Sequence, residues 1–232
     1  MTITTRQLTT IAVLALTMLT ANTLRAGQIT GFTWFSGVAS VAGTSFSPPS
    51  APNNDDVAGT SPNGIFVTQK DYTAIGPVDL VFDVTDTGGT TEYLVTEGVQ
   101  NNTGLDWGSY HIELGFGEGA GFVKSTSGDG LDFDAPDFNS DFFFDPLPGF
   151  FPTVSVTEDD IIASGGVMPD FSFAGYFLFH VDVPDGISSF TIRQSPVEVP
   201  EPSTLVLGAM GVSGLLLTLR RRSRSAKVES AA

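Results

Sequence analysis

The sequence has no cysteine. Disulfides, thiolate zinc sites and cysteine nucleophiles are therefore excluded, and an exported form must rely on its own apolar core. Histidine is nearly absent, with only His111 and His180. Two imidazoles cannot build a three-histidine catalytic zinc site, although a carboxylate could join them. Basic residues are also scarce: 10 Lys plus Arg stand against 26 Asp plus Glu in 232 residues. Within Gly27 to Val199 there are 24 acids and three bases, Lys70, Lys124 and Arg193, a net charge of −21. Such a body repels phosphate backbones, so nucleic acid is excluded as a partner. It attracts cations, or simply stays soluble.

What is abundant is glycine (26 residues) and phenylalanine (19). Turn-formers alternate with β-forming aromatics, as in an all-β protein. Period-two alternation supports this. In Val78 to Thr85, Val78, Leu80, Phe82 and Val84 fall on one face and Asp79, Val81, Asp83 and Thr85 on the other. In Tyr110 to Gly117, Tyr110, Ile112, Leu114 and Phe116 oppose His111 and Glu113. In Tyr176 to Val183, Phe177, Phe179, Val181 and Val183 oppose Tyr176, Leu178, His180 and Asp182. Further strands are expected at Ile29 to Phe35, Ile65 to Thr68, Thr91 to Thr96, Thr153 to Thr157 and Phe190 to Arg193. The turn signals DTGG, NNTG, SGDG, DPLPG and PDG separate them, and residues 47 to 63 form a long Pro, Ser and Asn-rich loop. The strands around Asn101 to Gly104 read as adjacent and joined by a turn. The expected fold is a single antiparallel β-sandwich, jelly-roll-like, over residues 27–196.

Both ends read as processing segments. Residues 1–26 have a basic Arg6, an apolar stretch from Leu8 to Leu19, and small residues at Ala21 and Ala26. This is the layout of a secretory signal peptide, cleaved before Gly27 or after Ala21. At the other end, Thr204 to Leu219 holds 16 uncharged residues. A helix of that length reaches about 24 Å, short of a ~30 Å hydrocarbon core unless Ser203 and the arginine stems extend it. Arg220, Arg221, Arg222, Arg224 and Lys227 follow. They place residues 220–232 in the cytoplasm and the body outside. Gly208, Gly211 and Gly214 form a stripe that another helix could approach closely.

Pro200, Glu201 and Pro202, then a short apolar segment and an arginine cluster, resemble the PEP-CTERM sorting signal. The resemblant tail is residues 197–232, with its single transmembrane sorting helix at 204–219. The resemblance implies export, transient anchoring in the inner membrane, and cleavage near Pro-Glu-Pro by an exosortase, a membrane enzyme. It also implies release or attachment at the cell surface; many proteins with this signal belong to bacteria that make extracellular polysaccharide. The prolines stop any helix before Ser203 and favour an extended strip that an enzyme can thread.

Within the body, SGDGLDFDAPDFNSDFFFDPLPGFF carries Asp129, Asp132, Asp134, Asp137, Asp141 and Asp145. Calcium takes several oxygen ligands, so Asp129, Asp132, Asp134 and Asp137 are its candidates. Their spacing matches neither an EF-hand loop nor a glycine-rich nonapeptide repeat. The bland alternative is a solvated acidic loop. Phe142, Phe143 and Phe144 cannot all face one side of a strand; one left exposed could stack on a sugar or a partner, although such a ring is more often covered by a loop. Trp34 and Trp107 could do the same but are more typical of a core. No G-x-S-x-G accompanies the histidines, and GFGEGAG (Gly115 to Gly121) reads as a turn because no helix follows it. Chance alone brings some pair among 24 acids to the separation used in glycoside hydrolysis.

The expectation is thus an exported, non-enzymatic surface or matrix protein without a resident cofactor. The alternatives are an adhesive or carbohydrate-binding module assisted by calcium, and a secreted hydrolase with an acidic site.

Overall fold

The computed structural model describes residues 27–47, 63–85, 89–133 and 149–199. The signal peptide, the whole tail from Pro200, Asp134, Asp137, Asp141, Asp145 and Phe142 to Phe144 lie outside the described residues.

Among the described residues there are twelve strands and no α-helix. They are β1 (Gln28–Phe35), β2 (Ala39–Phe46), β3 (Asn63–Tyr72), β4 (Val78–Thr85), β5 (Thr91–Asn101) and β6 (Trp107–Phe116). Then come β7 (Val123–Lys124), β8 (Asp132–Phe133), β9 (Thr153–Val156), β10 (Asp160–Met168), β11 (Phe173–Val183) and β12 (Ser189–Glu198). A short 3₁₀ turn, Gly119–Gly121, precedes β7. It occupies the GFGEGAG stretch expected to turn.

Two sheets result. The first runs β1-β4-β12-β6-β10-β9, with β7 added to β6. The second runs β2-β3-β5-β11-β8. Every pair is antiparallel except β3 with β5, which is parallel. That pair corrects the expectation of purely antiparallel pairing and departs from the antiparallel Greek keys of a jelly roll. A second correction concerns β5 and β6. They are consecutive but belong to opposite sheets, so the bend at Asn101 to Gly104 carries the chain from one layer to the other.

The alternation works as expected because one face of each strand is apolar. Val78, Leu80, Phe82, Val84, Ile112, Leu114, Phe177, Phe179, Val181 and Val183 are all buried. Phe82 stacks on Phe190 with ring centroids 5.0 Å apart. Rings also join the two layers: Tyr72 meets Trp107 edge-on at 5.2 Å, and Tyr110 meets Phe177 at 6.1 Å. Trp107 is therefore core, whereas Trp34 on the edge strand β1 is 41 % exposed. β2 and β10 were not expected. β2, ASVAGTSF, has few β-branched or aromatic residues, and β10, DIIASGGVM, breaks its register between Ser164 and Met168 around two glycines.

Candidate functional site

The segment that the sequence marks most sharply leaves the fold at the end of β12. This strand lies inside the first sheet, paired to β4 on one side and β6 on the other. Its last residue, Glu198, pairs with Trp107, and the amide of Val199 donates to the carbonyl of Asp106 at 2.9 Å. Backbone hydrogen bonding therefore reaches Val199, the residue before Pro200. The side chain of Asp106 accepts from the amide of Asp170 at 3.0 Å, and the carboxylate of Asp170 accepts from the amide of Gly104 at 2.9 Å. Asn101 Nδ2 donates to the carbonyls of Leu105, Met168 and Pro169. The indole of Trp107 donates to Thr103 Oγ1 at 3.1 Å. Two loops and the exit point of the chain are thus tied into one rigid end.

The three bases of the body are each held by acids. Arg193, on the outer face of β12, forks onto Asp79 of β4: Nε to Oδ1 at 2.6 Å and Nη2 to Oδ2 at 2.8 Å. Asp79 is otherwise buried, so the fork compensates a charge removed from water. The loop after β6 folds over this pair. Gly119 donates its amide to Asp79 Oδ2 at 2.6 Å and accepts from Arg193 Nη2 at 2.7 Å, while the ring of Phe122 lies 3.9 Å from the guanidinium. Gly119 has φ of +56°, and a Cβ there would sit 2.8 Å from the ring of Phe35. Donating to the Asp79 carboxylate raises the Arg193 pKa further above its already high value.

Lys70 is fully buried between the sheets. Its ammonium lies 2.6 Å from Glu97 Oε1 and also donates to Gln194 Oε1. Gln194 in turn donates to Glu97 Oε2 at 3.0 Å and accepts from the Tyr110 hydroxyl at 2.6 Å. The Tyr72 hydroxyl is 3.0 Å from that of Tyr110. Burial lowers Lys70 to about 8 despite Glu97. Burial raises Tyr72 and Tyr110, and nearby Glu97 adds to it. Nothing in the residues flanking Lys70 marks it as a core lysine. Its strand has a register break between Val67 and Lys70, which turns Lys70 inward.

Lys124, on β7, pairs with Asp160 and lies 3.4 Å from Asp159. His111 Nε2 faces the same Asp160 at 2.8 Å. Burial acts to raise the Asp160 carboxyl, but the bonds from Lys124 and His111 outweigh it and lower it. The reverse balance lifts Lys124. Glu113 stands directly opposite Asp160 in the β6–β10 register. The ligating atoms of His111, Glu113 and Asp160 all lie within 4.8 Å of one another, the one such trio among the described residues. Those three could hold a divalent metal if Lys124 swung away. The trio was illegible in the sequence because β10 was, and only β10 brings Asp160 beside Glu113.

His180 sits on the outward face of β11, as expected, but it is buried and its Nδ1 pairs with Glu92. Outward from a sheet therefore does not mean exposed: this histidine stands on the non-core face yet is closed off from water.

Of the four acids proposed for calcium, two can be placed. Asp129 closes a turn. Its Oδ1 accepts from Ser125 Oγ at 2.7 Å and from the Leu131 amide at 3.1 Å, and its Oδ2 accepts from the Thr126 amide at 2.9 Å. Burial would raise its carboxyl, but these donors together lower it. Asp132 lies on β8, opposite Asp182 of β11. Asp134 and Asp137 lie outside the described residues, as do Pro200, Glu201, Pro202, Arg220, Arg221, Arg222 and Arg224. Among the described residues no helix is long and apolar enough to cross a membrane.

The described chain is an all-β, two-sheet protein whose last strand runs straight into a tail. Residues 198–222 of that tail match the PEP-CTERM protein-sorting motif, which marks an exported, membrane-anchored protein sorted by an exosortase. No curated protein and no solved structure matches the chain.

Proposed function

We propose that this is a non-enzymatic protein of the cell surface or extracellular matrix, whose acidic β-sandwich acts by being displayed. The carrying observation is the sorting motif, whose match begins at Glu198, the last residue of an inner strand. In this reading residues 204–219 hold the protein in the inner membrane with residues 220–232 in the cytoplasm. An exosortase-type enzyme then cuts near Pro200, Glu201 and Pro202. Display also agrees with the placement of the bases: Lys70, Lys124 and Arg193 all support the fold through carboxylates. Intact mass of the exported protein tests the reading. A product ending near Pro200 is expected; a full-length species persisting in the membrane would overturn sorting by cleavage.

A second reading, a module that binds extracellular polysaccharide, is favoured by Trp34. This ring and its neighbour Phe35 are both exposed on an edge strand, where a sugar could stack. Calcium held by the 129–137 segment belongs to this reading. Retention on matrix polysaccharide that is lost in Trp34→Ala would support it. Equal retention of both forms, or none, would remove it. A melting midpoint unmoved by millimolar calcium or by chelator would remove the metal.

A further inference from the structure

We propose that the end of the sandwich bearing Leu105, Phe171, Val197 and Val199 rests on the zwitterionic lipid surface in which the tail is anchored. The proposal builds on the membrane-anchored reading of the tail and adds a specific face of the folded body to it.

Phe171 is 80 % exposed, the most exposed large apolar side chain described. It also has φ of +59°, the left-handed region, and is the one non-glycine residue described there. A bulky residue in that conformation is strained, and such strain persists only where the surroundings impose it. Here they do: the Asp170 amide is bound to Asp106, and the Ser172 amide to the carbonyl of Pro169. The ring is thus pushed outward from a rigid turn. Val197 is 47 % exposed and Leu105 40 %. Asp106 ties the group together, since it bonds Asp170 through its side chain and Val199 through its carbonyl, and follows Leu105 in the chain. Three segments joined through Asp106 thus each present an exposed apolar side chain at this end.

The occupant follows from the chain itself. Val199 is the last described residue, and the uncharged run begins at Thr204. Five Cα steps separate them, which reach at most about 18 Å when fully extended. Once residues 204–219 are in the bilayer, this end of the body cannot leave the neighbourhood of the headgroups. The polar layer occupies the first ~5–8 Å of that distance. Phe and Leu side chains on a peripheral face bury at the boundary between that layer and the acyl chains. The nearby carboxylates of Asp106 and Asp170 accept backbone amides, and the described chain places no base among these residues. That charge suits zwitterionic rather than anionic lipid.

The absence of cysteine allows the test. Full-length chains carrying Phe171→Cys, Leu105→Cys or Ser188→Cys would each take one environment-sensitive dye and be reconstituted with phosphatidylcholine vesicles. Ser188 is exposed at the opposite end, eleven residues from Val199, about 35 Å along the strand direction. The dye at positions 171 and 105 should shift to an apolar emission and be quenched by lipids labelled near the headgroup. The dye at 188 should emit as in water. Equal emission at all three positions, in chains that sediment with the vesicles, overturns the proposal alone. Failure of the full chain to sediment overturns the anchoring as well. Leu105→Cys keeps the test decisive if Phe171→Cys does not fold.

Discussion

The ammonium of Lys70 and the carboxylate of Glu97 meet at 2.6 Å between the two sheets, both side chains wholly removed from water. A buried pair of this kind is weak evidence of net stabilisation, but breaking it is costly. Lys70→Met should therefore lose about 1–3 kcal/mol, because it leaves buried acceptors on Glu97 and Gln194 without their donor. Lys70→Met with Glu97→Gln removes both charges and keeps an acceptor for Gln194. It should recover most of the loss in urea unfolding.

The same core predicts an unusual alkaline profile. Lys70 falls from 10.5 to about 8 on folding, so between these values the unfolded chain binds more protons. Stability should then rise with pH across that window. Tyr72 and Tyr110 act oppositely: their folded pKa values lie above the ordinary 10, so stability should fall once pH passes 10. Urea midpoints taken from pH 7 to 11 should show a rise followed by a decline. In Lys70→Met the rise should vanish and the decline remain.

Arg193 holds Asp79, the backbone of Gly119 and the ring of Phe122 together. Arg193→Gln should cost about 3 kcal/mol, since Asp79 stays buried without its partner. Arg193→Lys keeps the charge but not the planar fork, and should still cost about 1–2 kcal/mol. Equal stability of Arg193→Lys and the parent chain in urea would show that the fork is dispensable.

Acid should act through Asp129 and Asp160. Both carboxyls lie below 3.8 when folded, so they stabilise the fold above that value and lose the contribution as pH falls through their folded pKa values. Asp129→Asn should be less stable at pH 7 and show a shallower loss below pH 4. The comparison needs only chemical unfolding at a series of pH values.

Phe171 gives the opposite kind of prediction. Glycine tolerates φ of +59° freely, so Phe171→Gly should raise stability by about 1 kcal/mol. The rise would appear as a higher melting temperature.

How much of this could be read in advance depends on how local each feature is. The alternation in Val78 to Thr85 coincides with β4, because one buried face leaves its period in the residues themselves. β2 and β10 left little trace, being rich in small residues that fit a pleat without advertising it. Pairing partners are not local at all, so neither the parallel β3–β5 contact nor the assignment of β5 and β6 to different sheets was legible. The trio of His111, Glu113 and Asp160 fails for the same reason. Lys70 and His180 show a further gap: a register break and a covered outer face bury residues whose chemistry points outward. The sorting tail was legible because its signal lies in order and spacing along the chain, which needs no partner strand.

The place of β12 also sets the order in which the protein can mature. The strand that joins β4 to β6 is the last of the twelve, so the first sheet stays split until that strand arrives. For a chain exported N-terminus first, β12 crosses only after everything else, with the apolar run close behind it. Long-range closure of this kind is slow compared with local contacts. On the anchored reading of the tail, completion of the fold would come at the end of translocation, beside the membrane, where the tether would keep half-built sheets from drifting together.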